Sequence, residues 1–461
     1  MACLFILKHM HQIQTSITYF NELFTFFVVF PAIILLGIYL TYKLKFIQIS
    51  QLKRSFTCLL SKKEQGQGNI SHYEAISAVL AGNLGTGNIS GMAVALATGG
   101  PGALVWMWLM AFLGAAIQYA SCVLGLQYRQ KNARAEYVGG PMYYLTHGLG
   151  MKSLGILFAI FAILAAFTVG NFVQVNSVIL PLEKMALNPL ACSLVLAVLV
   201  GAVLLGGAQR FAKVASGVVP VMAILYLGAA LTILAMHWNG IWPAFKLMLG
   251  GAWNDQAFLG GTLGFALIKT VSTGFERGIF ATDAGTGIAP IIQAGSKTAS
   301  PVINGIVALT APFLVMAVCT ITGLVLIVTG AWQTADLAST NMCTYAFEKG
   351  LGSKIGCYVV IVSLWLFAYT TILAWACCGE RAFEFLFGRK HVRYFRCFYI
   401  LLIPVGALAH VDYVWLIADI AISFMLTTNL IGVAALSPQV IKESRDFFLK
   451  EQQVFLENRS F

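Results

Sequence analysis

Charged side chains are scarce in this sequence: Asp, Glu, Lys and Arg make up 10% of its 461 residues. A soluble domain carries roughly 25%, so the shortage excludes a water-solvated surface over most of the chain. The ten cysteines include no CxxC spacing, which excludes a zinc or redox motif of that kind. All ten read as small core hydrophobes, with Cys343 and Cys357 placed to approach each other on the outer face. No soluble face interleaves clustered bases with aromatics, so the net charge of +11 does not point to nucleic acid. Metal-ligand clusters, a nucleophile elbow and a phosphate loop are all missing, which argues against an enzyme and against any cofactor. The first residues, MACLFILKHMHQIQ, lack a charged start and an A-x-A site, so they read as uncleaved.

What is abundant is apolar. Hydrophobic residues make up 59% of the chain and the mean hydropathy is +0.82. Runs long enough to span hydrocarbon, about 20 residues of helix, fall near 22–42, 75–98, 103–127, 154–180, 190–207, 214–236, 256–290, 301–330, 354–380, 394–410 and 412–436. The expectation is an all-α polytopic membrane protein with about eleven transmembrane helices. Lys and Arg concentrate in alternate loops, notably 43–63, 129–152 and 381–396. Only Lys8, Lys184, Lys246, Lys349 and Lys354 fall on the other side, with Lys269 and Arg277 inside the irregular 256–290 region. This bias places the N-terminus outside and the C-terminus in the cytoplasm. Segment 51–72 reads as an amphipathic piece along the inner surface, and 441–461 as a charged cytoplasmic tail.

An odd count of eleven fits one extra N-terminal helix plus two five-helix sets inserted with opposite topology, a 5+5 inverted repeat. The divisions are then 1–72, a transporter core over 73–440 (repeats about 73–237 and 255–437), and the tail. The recurrence of Gly85-Thr86-Gly87 at Gly285-Thr286-Gly287 is faint support in so Gly-rich a chain.

The segment most informative about function is AGNLGTGNISG, Ala81–Gly91. Glycine costs about 1 kcal/mol relative to Ala inside a helix, so glycines at 82, 85, 87 and 91 make a continuous helix improbable. Unwound backbone at membrane depth is tolerated only where it packs in protein or lines a cavity. Freed carbonyls then suit a cation and the half-helix N-terminus a carboxylate. A small-residue packing face is the alternative. Gly-Gly-Pro-Gly at 99–102 forces a turn, and Trp106 and Trp108 beyond it read as interfacial anchors.

GTGNISG followed by GGPGALVWMW resembles the signature of the alanine or glycine:cation symporter family. The resemblance recurs at GNFVQVN, Gly170–Asn176, and at TTILAWACCGER, Thr370–Arg381, and covers roughly 20–440. It implies a leucine-transporter-like fold in a bacterial inner membrane, moving alanine or glycine with sodium. It places Thr86 and Gly87 on the substrate carboxylate, with Asn83 and Asn88 beside them. Gln174 would hydrogen-bond the substrate, or alternatively bond across helices. Thr371 would line the pocket or back-bond its own helix, and Trp375 would limit side-chain size; four apart, the two share a helix face. Sodium would meet the Thr370 and Thr371 hydroxyls and backbone oxygens near Ala81–Leu84.

The chain departs from that family where Phe-Ser-Asn-Glu-Ala-Gly is expected and Phe280-Ala281-Thr282-Asp283-Ala284-Gly285 stands. Glu380 likewise follows Cys377-Cys378-Gly379, where two Tyr are usual. These changes leave the ion and the exact substrate open. Ionisable residues at membrane depth are costly and usually functional or paired; here they are Lys269, Glu276, Arg277, Asp283, Glu380 and Asp419. Glu276 and Arg277 near Asp283 suggest an ion pair that fixes the broken span or gates it. Sodium-driven uptake of a small neutral amino acid is the leading expectation. Proton coupling, or another small amino acid, on the same fold is its rival, with a channel behind both.

Overall fold

The computed structural model describes residues 16–60, 66–253, 261–298, 300–334, 337, 339–408 and 411–457. The reading of the first fourteen residues as uncleaved, and Lys8, Lys62, Lys63 and Arg459 in the charge bias, lie outside them. The fold is helical apart from a two-stranded hairpin pairing Gln130–Lys131 with Tyr137–Val138. Among the described residues, eight helices are long and apolar enough to cross a membrane: Ser16–Lys43, Ala103–Gln127, Lys152–Glu183, Ala208–Met236, Pro301–Val328, Ile355–Phe387, Arg389–Leu408 and Val414–Val454. This is a multi-pass membrane protein. Helix Pro189–Leu204 is apolar but shorter.

Two further apolar segments are broken. His72–Asn83 and Ser90–Gly99 flank a short 3-10 turn, Thr86–Asn88. Gly261–Thr282 and Ile288–Gln293 flank the second break. That interruption uses left-handed backbone at Asp283 (φ 49°), Gly285 (φ 89°) and Gly287 (φ 94°), a region glycine enters without a Cβ clash. The second break packs against Ala103–Gln127, whose Gly114 and Ile117 meet Ala284 and Gly285 and whose side chains from Ala115 to Leu124 are buried.

Several elements differ from expectation. Helices Trp238–Ala252 and Ser339–Leu351 occupy stretches where none was expected. The last helix does not stop near 436 but runs Val411–Glu457, through the segment read as a tail; it is rich in helix-favouring side chains, and Pro438 does not end it. The surface segment forms Ile47–Ser50 and Leu52–Leu60. Trp106 and Trp108 are half-buried against neighbouring helices. Trp106 packs on Trp253 and Phe275, and Trp108 donates to the Thr320 hydroxyl at 2.9 Å, because their helix is enclosed by others. Among the described cysteines, Cys397 is exposed rather than core, since its helix faces outward there, and Cys343 and Cys357 are free thiols.

Candidate functional site

Where the first helix breaks, its unpaired carbonyls must find new donors. The Leu84 amide bonds Leu80 O. The Thr371 hydroxyl, from helix Ile355–Phe387, donates to Ala81 O at 2.9 Å. The Asn88 amide donates to Asn83 O at 2.6 Å and to Gly85 O at 3.3 Å. Its Oδ1 also accepts from the Cys319 thiol, so Asn88 braces the break while lining the cavity beside it. Asn83 reaches across to the other break and donates to Thr282 O at 2.7 Å. The two interruptions are therefore tied to each other.

Gln174 is buried beside a π-helical turn, Thr168–Phe172, and its amide nitrogen donates to Val169 O. That bond turns Oε1 toward the first break, where it accepts from both the backbone N–H and the hydroxyl of Thr86, at 3.1 and 3.0 Å. Gln174 thus bonds across helices while facing the cavity. Trp375 is packed so closely that a Cβ on Gly170 would lie 2.1 Å from its own Cβ. A Cβ on Gly85 would meet Thr371 Oγ1 at 3.0 Å, and one on Gly87 would meet the Phe280 ring at 2.7 Å.

Together these groups enclose a cavity lined by Gly82, Asn83, Gly85, Gly87, Asn88, Val169, Gln174, Phe280, Asp283, Thr371 and Trp375. Its free volume is about 10 Å³, about the room one water needs, so the site is closed. Phe280 and Val169 complete the wall and were absent from the sequence-based set. The signal for Phe280 was its place three residues before the left-handed Asp283.

Two expectations are corrected. Thr370 does not join Thr371 at Ala81, since adjacent helical residues point in different directions. Its hydroxyl bonds Leu366 O and Phe367 O and lies against Met222 Sδ. Asp283 does not sit with Glu276 and Arg277, because the helix ends at Thr282 and Asp283 takes left-handed backbone. Its carboxyl faces the closed cavity, fully buried, with Oδ1 lacking a hydrogen-bond partner. Glu276 and Arg277 instead line a second, larger cavity of about 410 Å³ with Glu22, Trp415 and Asp419. Arg277 lies over the Trp415 ring at 5.2 Å, and no ion pair joins it to a carboxylate among the described residues. Phe280 lines both cavities, and its ring against Trp415 at 5.0 Å is the partition between them.

At the opposite end, which carries the Lys- and Arg-rich loops, the structure is closed by backbone. Asn69 N–H donates to Gly295 O at 2.7 Å and Lys297 N–H to Ile70 O at 2.8 Å, joining the entrance of the first broken helix to the exit of the second. Arg129 donates to Ala294 O, Ser296 O and Gln67 O and lies over the Tyr137 ring. Nearby, Glu380 pairs with Arg389 at 2.8 Å and Arg396 at 2.6 Å, and Arg381 with Glu384 at 2.8 Å and Glu136 at 3.1 Å. Glu380 is therefore paired, one of the two states expected of a buried ionisable group. Burial works to raise the Glu136 pKa, but Arg381, the Asn132 amide and Arg389 outweigh it and hold the carboxyl below its ordinary range.

Residues 10–460 match the sodium:alanine symporter family. An uncharacterized transporter of Haemophilus influenzae is 42% identical, over 91% of this chain and 93% of its own. The sodium/alanine symporter AgcS of Methanococcus maripaludis is 41% identical, over 89% and 92%. Among solved structures, a manganese transporter of Eremococcus coleocola superposes with a TM-score of 0.51 over 84% of this chain and 82% of that one, at 14% identity. That likeness extends to the fold alone.

Proposed function

The chain belongs to the sodium:alanine symporter family, and on that premise we propose that it carries alanine or glycine across a bacterial inner membrane with sodium, by alternating access. The observation that carries this reading is the closed cavity between two broken helices, which offers complementary groups to a small zwitterion. The Thr86 N–H and hydroxyl and the Gly87 backbone suit its carboxylate; Gln174 Oε1, which now holds the Thr86 donors, yields them on binding. A carboxylate at this depth is costly unless partnered, and the substrate ammonium supplies a partner to Asp283. Trp375 sets the room left for a side chain. A sodium ion takes the Thr371 hydroxyl and Ala81 carbonyl oxygens, with Leu84 O near; hard oxygen ligands suit an alkali cation. No cofactor and no catalytic reaction enter this scheme.

The architecture goes with the reading. The eight long helices, the shorter Pro189–Leu204 and the two broken segments make an eleven-span plan: one extra N-terminal helix, then inverted repeats at about 73–237 and 255–437. The basic loops lie in the cytoplasm, the N-terminus outside. The Glu276 cavity is then the outer vestibule, and the Asn69–Gly295 staple the inner barrier. Asp283 also favours a second reading, proton coupling, because its carboxyl has no charged partner in the site. Uptake of labelled alanine into proteoliposomes separates the two. A sodium gradient at equal pH drives uptake under the first reading; uptake driven by a pH gradient without sodium would overturn it.

A further inference from the structure

At the end of the first span the chain turns sharply through left-handed Lys45 and Phe46 and lays Ile47–Ser50 and Leu52–Leu60 beside the extended last helix. Arg54 clamps this segment down: its guanidinium grips Glu451 at 2.6 and 2.7 Å and lies over the Phe447 ring. Between the two elements a cavity of about 820 Å³ remains open. Its apolar lining comes from Leu44, Ile441, Phe448, Leu449 and Leu456. Its charged lining is one-sided. Lys43, Lys45, Arg54 and Arg445 face it, and its one carboxylate, Glu451, is occupied by Arg54. Lys43, Lys45 and Arg445 are exposed and enter no ion pair among the described residues.

We propose that this cavity binds the headgroup of an anionic phospholipid. Lys43, Lys45 and Arg445 would hold the phosphodiester, and an acyl chain would lie along Leu44, Phe448 and Leu449. Charge complementarity selects the occupant: cations above an apolar floor fit a molecule that is anionic at one end and hydrocarbon at the other. Position selects it too. Tyr42, Phe46 and Ile49 beside the cavity are 72%, 52% and 63% exposed, and they stand where a membrane span ends, at the depth of the headgroups. Basic pockets of this kind at a membrane surface hold lipid phosphates, and a Lys or Arg near an anionic surface contributes about 1 kcal/mol. A bound lipid would tie the surface segment, and through it the strand of chain leading to the Asn69 staple, to the last helix.

The experiment titrates the full-length purified protein in neutral detergent with phosphatidylglycerol or phosphatidylcholine and counts retained lipid by native mass spectrometry. Saturable retention of phosphatidylglycerol over phosphatidylcholine is expected. Lys45→Gln with Arg445→Gln should weaken it about 30-fold, the equivalent of about 2 kcal/mol. Lys45→Arg with Arg445→Lys should restore it, and Lys53→Gln, outside the cavity lining, should leave it unchanged. Equal retention of the two lipids by the parent protein would overturn the proposal whatever the variants do. So would a folded Gln double variant that still binds, or displacement of the lipid by inorganic phosphate at comparable concentration, which would mark a free-anion site.

Discussion

Thr370 and Thr371 are neighbours in sequence and opposites in environment, so the pair tests the ion site with its own control. Thr371→Val keeps the side-chain shape and removes the hydroxyl that donates to Ala81 O at 2.9 Å. The carbonyl sits at a helix end in a fully enclosed position, and a buried acceptor left without its donor costs about 1–3 kcal/mol. The same oxygen is a sodium ligand in the proposed site. Losing it should raise the half-saturating sodium concentration by roughly 5- to 150-fold, at about 1.4 kcal/mol per decade. Thr370→Val removes a hydroxyl that back-bonds carbonyls of its own helix and touches Met222 Sδ; the back-bond is near neutral in a helix interior. Its sodium dependence should stay within about twofold of the parent, on the same grounds. Thr371→Ser, which keeps the oxygen, should rescue. The measurement is the initial rate of labelled alanine uptake into proteoliposomes against sodium concentration. A folded Thr371→Val protein with unchanged sodium dependence, or an equal shift in Thr370→Val, would refute the placement of the ion.

Trp375→Ala should admit larger neutral amino acids; a competition panel in which alanine uptake and side-chain selectivity both stay unchanged would remove Trp375 from the pocket. Gly170→Ala, whose new methyl would lie 2.1 Å from Trp375 Cβ, should displace that ring and cut uptake by about tenfold or more, as overpacking of about 1–3 kcal/mol implies; near-parental uptake would contradict the packing. Phe280→Ala should join the two cavities, so that a thiol-reactive probe labels a cysteine placed at Val169 faster than in the parent; equal rates would deny the ring its role as partition. The Glu136 carboxyl is held below its ordinary pKa, so its contribution to stability is complete above the unfolded value, about 4.3, and drains away as pH falls through the folded value. Thermal unfolding between about pH 6 and 3 should therefore fall less steeply for Glu136→Gln; parallel curves would contradict the depressed pKa.

The first break was legible because four glycines in ten residues leave a helix no alternative, and because the flanking runs put that break at membrane depth. The shared face of Thr371 and Trp375 followed from their spacing of four. The same periodicity argues against pairing Thr370 with Thr371 at one ion, and the structure sides with the periodicity. The grouping of Glu276 and Arg277 with Asp283 failed for another reason. Six residues looks close along an unbroken helix, but Asp283 is where the chain leaves the helix, so its side chain turns to the opposite cavity. What holds the second break was not legible at all. Asn429, in the last helix, donates to Gly285 O at 2.7 Å and is itself bonded by the Tyr144 hydroxyl. No local pattern links residues so far apart. The staple made by Asn69, Gly295 and Arg129 was hidden likewise, since its bonds use backbone groups that every residue carries.

The two barriers around the closed site differ in kind, and that difference orders the transport cycle. Toward Glu276 the partition is one ring, Phe280, resting on Trp415, and a rotamer change would open it. Toward the basic end lie the backbone bonds of Asn69, Ile70 and Lys297, three from Arg129, and the Asn69 side chain on Tyr137. At about 1 kcal/mol each, their combined loss far exceeds the cost of turning one ring. Without ligands, the path toward Glu276 should therefore be the one sampled, and the staple should yield only when binding energy repays it. Asp283 and Ala81 lie between the two barriers, on the broken helices whose basic-end halves the staple joins. In the proposed function, substrate and ion at these points would bear directly on the helices that must part. Removing the Arg129 bonds with Arg129→Ala should shift the balance inward. A cysteine introduced at Gly295 would then react faster with a thiol probe than in the parent background, with sodium absent in both. Equal reactivity would show that the staple is not what holds this end shut.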